Sequence, residues 1–341
     1  MRVAMYYNNW DVRIEEMPKP KIGPGEILVK MKACGICGSD VMEWYRIKKA
    51  PLVLGHEMSG EIVEVDSGVK GYKPKAKVFV SHHVPCNTCR YCLNNQHTAC
   101  ETLHTTNYFP GGFSEYIRVP ALNVDRGVFL IPKEISFDEA TFIEPLACVL
   151  RAQILAGLKP GQTVLILGSG ISGLIHLLNA KALGAGRVIT TDIQEYRMQK
   201  AQELGADLVI NAKEDIPKRV LAANENRLAD LVIVCAGNLS VFQQALQSVD
   251  RGGTILCFAS TEPGVDLGLP INDFWHKGIK ILPSYGNSPA DAIMAIDLLK
   301  TGRISLAQLI THRLPLEEAA KGFGLVSKGK DCIKVILTNP A

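Results

Sequence analysis

The apolar positions of this chain change rhythm once along its length. From Val3 to about Val119 they come in short β-branched runs, Ile27 to Val29, Glu61 to Val65, Lys77 to Val80 and Tyr116 to Val119, separated by Gly and Pro clusters. Short runs bounded by turn formers predict strands, here of an all-β, barrel-like first domain. From about Leu146 strand-like and helix-like stretches alternate. Val164 to Leu167 leads into a helical stretch to Leu183, Val188 to Thr191 into one to Leu204, and Leu231 to Cys235 into Ser240 to Val249. This alternation predicts a doubly wound parallel sheet, because parallel strands need crossover connections. After Ser284 an amphipathic helix, Ala290 to Lys300, and a strand-like run, Ile333 to Leu337, read as a return to the first domain. The expected fold is α/β, with domains at 1–145 and 146–284 and a returning segment at 285–341.

Composition narrows the function classes. A chain of 341 residues, 47% hydrophobic and 21% charged, has the make-up of a globular protein with a sizeable core. A net charge of +3 and the lack of any Lys or Arg block argue against nucleic-acid and membrane partners. The opening residues, Met1 to Asp11, carry no apolar stretch of signal-peptide type, so a cytoplasmic location is expected. The most hydrophobic stretch, Thr163 to Leu178, is interrupted by glycines, serines and His176 and does not read as a membrane span.

Of the ten cysteines, Cys86, Cys89, Cys92 and Cys100 follow the spacing C-x2-C-x2-C-x7-C. That spacing lets four thiolates converge on one ion from a single loop, and four sulfur ligands leave no open position, so a closed structural zinc site is expected. A second set of metal-type residues is scattered: Cys37 in Gly35-Ile36-Cys37-Gly38-Ser39-Asp40, His56 and Glu57 in Gly55-His56-Glu57-Met58, and Glu144 before Pro145. Three ligands and one exchangeable position make a catalytic zinc site. Singly, each residue has an ordinary explanation as core thiol, hydrogen-bonded histidine or solvated carboxylate, and Cys34 with Cys37 could form a redox pair.

Thr163 to Leu167 is followed at once by Gly168-Ser169-Gly170-Ile171-Ser172-Gly173, which opens a helix. Glycines there permit a tight turn and the approach of a pyrophosphate to the helix N-terminus. Asp192 stands nineteen positions beyond Gly173, at the end of the next strand-like run. An acid at that point accepts hydrogen bonds from ribose hydroxyls and repels a 2′-phosphate, so NAD is expected over NADP. Arg197, inside the next helix, works in the opposite direction or lines the adenine side.

Together these residues resemble the zinc-containing medium-chain alcohol dehydrogenases, most closely their polyol (sorbitol) and threonine dehydrogenase branch. The resemblance spans nearly the whole chain. It rests on Cys-Gly-Ile-Cys-Gly-Ser-Asp from Cys34, Leu-Gly-His-Glu from Leu54, the four-cysteine lobe, Gly-Gly-Phe-Ser-Glu-Tyr from Gly111, Glu-Pro-Leu-Ala from Glu144 and the glycine loop. It implies a GroES-like catalytic domain with a Rossmann domain, two zinc ions per chain, and a homo-oligomer, dimer or tetramer. It further implies that Cys37 and His56 bind the catalytic zinc, that Glu57 or Glu144 is a direct ligand or holds zinc-bound water, and that Ser39 takes the substrate proton. The implied reaction, of EC 1.1.1 type, oxidises a secondary alcohol of a small polar substrate such as a polyol or sugar. L-threonine 3-dehydrogenase, a general alcohol dehydrogenase and an inactive dinucleotide- and zinc-binding interaction protein are the alternatives. Two departures stand out. Met42 occupies the place of a histidine usual in those branches, and Asp66 stands where a small residue is expected.

Overall fold

In the computed structural model, which describes residues 1–339, the buried strand Ile27–Ile36 organises one of two units. That unit comprises Met1–Ala147 and the chain from Gly286 onward; Cys148–Tyr285 forms the other. Ile27, Leu28, Val29, Met31, Ala33 and Cys34 are all fully buried, so this strand has neighbours on both edges and cover on both faces. Its sheet has seven strands. Ile310–Pro315, Lys334–Thr338, Ile27–Ile36, Glu57–Val65, Lys77–Val80 and Val128–Leu130 follow one another, and Tyr116–Val119 also pairs with Ile27–Ile36. Pairing is antiparallel except between Ile310–Pro315 and Lys334–Thr338. A second sheet joins Asp11–Glu16, Arg2–Asn8 and Leu52–Val53. Tyr6, Met31, Met58, Phe113 and Phe323 belong to the core beneath these strands.

The last strand matters for function. Val335 pairs with Ile36, Ile336 with Gly35 and Leu337 with Cys34, which sets the C-terminal segment beside the Cys-Gly-Ile-Cys run. Beyond the β-rich stretch this unit carries helices at Ala121–Gly127, Pro289–Lys300 and Ala319–Lys328, the second of them at the predicted amphipathic stretch, with shorter helices around the cysteine lobe.

The other unit is a six-stranded, wholly parallel sheet. Its strands run Leu208–Asn211, Arg187–Asp192, Thr163–Leu167, Ala229–Val234, Val249–Cys257, Lys280–Pro283, which in chain order is 3-2-1-4-5-6, the doubly wound dinucleotide order. Val164, Leu165, Ile166 and Leu167 are wholly buried at its centre. Of the three strands the hydrophobic pattern does not announce, Val249–Cys257 lies inside the sheet, and Leu208–Asn211 and Lys280–Pro283 are its two edges. Leu208 and Val209 are only partly buried there, and Lys280 and Ile281 are exposed. No helix among the described residues is long and apolar enough to cross a membrane.

Candidate metal centres and dinucleotide loop

The four lobe cysteines meet as their spacing implies. Their sulfurs lie within 4.8 Å of one another. Cys86 Sγ is 3.9 Å from Cys92 Sγ, and Cys89 Sγ is 3.6 Å from Cys92 Sγ. Zinc–sulfur bonds of about 2.3 Å in a tetrahedron place sulfurs about 3.8 Å apart, so the donor set fits the ion. Backbone amides support the thiolate form: Thr88 N and Cys89 N donate to Cys86 Sγ, and Cys86 N donates to Cys100 Sγ. Hydrogen bonds from Thr88, side chain and backbone, and from Cys89 N lower Cys86 to about 5. Burial pushes Cys92 up to about 12, a penalty that a bound cation would reverse.

The second cluster forms where two segments of one unit, one carrying Cys37 and the other His56 and Glu57, converge. Cys37 caps the short 3-10 turn Gly38–Val41; its Sγ accepts from Ser39 N at 3.4 Å, and Asp40 Oδ2 accepts from Cys37 N at 3.0 Å. This reciprocal cap fixes both thiol and carboxylate. His56 follows Gly55, which sits at φ +92 and whose added Cβ would come within 2.8 Å of Phe113. Glycine is therefore required at the bend that presents the imidazole. Cys37 Sγ, a His56 ring nitrogen and a Glu57 oxygen lie within 4.8 Å of one another. Fully buried Asp40 reaches His56 Nδ1 at 3.3 Å, the carboxylate–histidine pairing that orients a metal-binding imidazole. Burial opposes charge on His56, yet Asp40 and Cys37 hold it well above the ordinary histidine value. The same two groups favour a bound cation.

Glu57 has a partner that sequence reading does not reveal. Lys334 Nζ binds Glu57 Oε2, and the two side chains are buried to 0% and 1% exposure. Gly35, opposite Glu57 in the sheet, leaves the room: an added Cβ would collide with both members of the pair. Glu144, in the first turn of the helix Ile143–Leu155, is not among the three gathered ligands; it is buried and accepts from Asn287 Nδ2 at 3.4 Å. Ser39 Oγ accepts from Arg46 Nη2 at 3.3 Å. His82 lies with its ring 5.0 Å from that of His56, and burial lowers it well below the usual range. Asp40 is detectable in sequence as the third residue after the capping Cys37, whereas Lys334, 277 residues from Glu57, carries no local signal.

In the other unit the glycine loop joins the strand Thr163–Leu167 to the helix Ile171–Ala182, with Gly170 as its N-cap. Gly168 has φ +103, and a Cβ on Gly173 would strike the Gly168 carbonyl oxygen, so both positions demand glycine. Ile171 and Ser172 form the first helical turn. Asp192 ends the next strand. Its Oδ2 accepts from Ser169 N and its Oδ1 from Gln194 N, both at 2.9 Å, which fixes the carboxylate at the loop. Arg197 Nη1 is 3.9 Å from Asp192 Oδ2.

A closed sulfur site and an open mixed site in one unit, with a dinucleotide loop in the other, define a metal-dependent oxidoreductase. Residues 23–132 match the alcohol dehydrogenase GroES-like domain family and residues 172–301 the zinc-binding dehydrogenase family. The chain is 32% identical to sorbitol dehydrogenase of Gallus gallus, over 96% of this chain and 93% of that protein. It is 35% identical to L-threonine 3-dehydrogenase of Bacillus licheniformis, over 95% and 94%. Two solved structures resemble it at 28% identity. A zinc-binding dehydrogenase of Sinorhizobium meliloti 1021 bound to NADP has a TM-score of 0.87, covering 99% of each chain. The rspB alcohol dehydrogenase of E. coli CFT073 with NADH has a TM-score of 0.88, again over 99% of each. The chain belongs to the zinc-containing medium-chain alcohol dehydrogenase family, in its polyol and threonine dehydrogenase branch.

Proposed function

We propose that the protein oxidises a secondary alcohol of a polyol, sugar or related vicinal hydroxy compound to a ketone with NAD. The observation that carries the reading is the meeting of Cys37, His56 and Glu57 within 4.8 Å, two residues from the hydroxyl of Ser39. The donor types and their spacing suit a zinc ion with room for a fourth ligand, and a zinc ion there supplies Lewis acidity that makes an alcohol easier to deprotonate. Cys37 and His56 would hold it, Asp40 orienting His56, with Glu57 or Glu144 supplying the carboxylate. The Lys334 ammonium pairs with the Glu57 carboxylate, so that buried pair carries no net charge. Ser39 accepts the substrate proton and passes its own to water. The cysteine lobe would hold a second, structural zinc.

The amides that fix Asp192 support NAD over NADP, because they hold a carboxylate where a 2′-phosphate would have to sit. The exposed edge strand Lys280–Pro283, with Ile271 66% and Trp275 77% exposed nearby in sequence, supports self-association through that edge. The test is formation of reduced nicotinamide from a polyol by wild type and Cys37→Ser. The wild type is expected to turn over and Cys37→Ser to be inactive while folded; equal turnover by the two would overturn the reading.

A further inference from the structure

Arg46, at the end of the short helix Glu43–Arg46, makes an unusual set of bonds for a side chain only 14% exposed. Its Nε donates to the Ser39 carbonyl at 2.9 Å and its Nη2 to Ser39 Oγ at 3.3 Å. Nη2 also lies 3.7 Å from Asp40 Oδ1, the oxygen that reaches His56 Nδ1. One guanidinium fork thus joins the Ser39 hydroxyl to the carboxylate behind the candidate metal-binding imidazole. The nearest alternative in sequence, Met42, has only a thioether and can neither donate to Ser39 nor carry a proton.

Arginine has donors and no acceptor. While Nη2 donates to Ser39 Oγ, the hydroxyl hydrogen cannot occupy that bond and must point elsewhere. The fixed positive charge also stabilises the negative charge that grows on Oγ as the hydroxyl's own proton leaves toward water, as preorganised donors do. We propose that Arg46 is a positioning residue for proton removal: it fixes the Ser39 hydroxyl and aims its hydrogen away from the guanidinium. The proposal rests on Ser39 being the proton acceptor. In that step the substrate O–H bond breaks, a new Oγ–H bond forms and the original Ser39 proton leaves to water. Serine is regenerated and Arg46 keeps its protons throughout.

The experiment compares zinc-loaded wild type, Arg46→Ala, Arg46→Lys, Ser39→Ala and the Ser39→Ala/Arg46→Ala double variant. Turnover, solvent deuterium isotope effect and zinc content are measured for each. Arg46→Ala is expected to lower kcat by about ten- to a hundredfold, the range for a hydrogen bond from a charged group. Its solvent isotope effect should rise, its zinc content should stay at the wild-type level, and added guanidinium should restore part of the rate. Because Arg46 acts through Ser39, the same change should cost less than about threefold when Ser39 is already Ala. Where Arg46→Ala does not fold, Arg46→Lys carries the test, since it keeps the charge and loses the fork; a lower kcat with a raised isotope effect is expected. Full kcat in Arg46→Ala or Arg46→Lys overturns the proposal, as does an equal loss in both serine backgrounds. Full turnover by Ser39→Ala overturns the reading of Ser39 beneath it, an outcome distinct from failure of Arg46 alone.

Discussion

Lys334 and Glu57 illustrate how one buried charge depends on another. Both side chains are withdrawn from solvent, and burial alone would discharge Lys334; Glu57 outweighs it and keeps the ammonium charged. Lys334→Met strands a carboxylate in the core and is expected to lower unfolding stability by about 3–5 kcal/mol in urea titrations. Adding Glu57→Gln should recover most of that loss, and a double variant no more stable than the single one would contradict the pairing. Asp192, at the end of its strand, has its carboxylate held by the backbone amides of Ser169 and Gln194. Asp192→Ala should erode the preference for NAD over NADP, read as the ratio of kcat/KM values; a wild type that uses both cofactors equally would refute the assignment.

Among the elements, the two metal loops and one crossover helix carry separate expectations. Cys92→Ser opens the closed site and should mainly lower stability, with one zinc per chain retained by elemental analysis, whereas Cys37→Ser should abolish turnover with the fold largely intact. Loss of both zinc ions from either variant would show that the sites are not independent. In the helix Ile171–Ala182, fully buried His176 takes a hydrogen bond from Gln153 Nε2 at 3.0 Å, and burial holds the imidazole down to about 3. The unfolded chain takes up that proton near pH 6.5, so stability is complete above about 6.5 and falls as pH drops toward 3. Between about pH 6.5 and 5 the loss from this group is about 2 kcal/mol. Urea unfolding of His176→Gln should show an acid limb flatter by that amount, and identical limbs would exclude the effect. These elements also show what was legible in the sequence. Thr163–Leu167 and the glycines after it could be read because every strand position is buried and two glycines are sterically required. The cysteine lobe could be read because its ligands are local. Leu208–Asn211 and Lys280–Pro283 could not, since edge strands lack continuous burial, and Lys334 could not, since its partner is distant in the chain. Arg46 was equally silent, because no spacing rule ties it to Ser39.

At the scale of the whole molecule, family membership gives zinc-dependent oxidoreduction of an alcohol. Glu57 lies within 4.8 Å of Cys37 and His56, and the Asp40–His56 pair keeps one ligand face fixed. An enzyme associating through the Lys280–Pro283 edge should show a molar mass by light scattering of at least twice 37.2 kDa. A monomer at working concentration would remove that edge from consideration. The central claim, a polyol or diol dehydrogenase using NAD, is tested most directly by comparing kcat/KM for sorbitol, xylitol, inositol, 2,3-butanediol, L-threonine and ethanol with NAD. A polyol, sugar or diol should be the best substrate. Ethanol or L-threonine exceeding every polyol and diol by about tenfold, or about 1.4 kcal/mol of transition-state stabilisation, would contradict it.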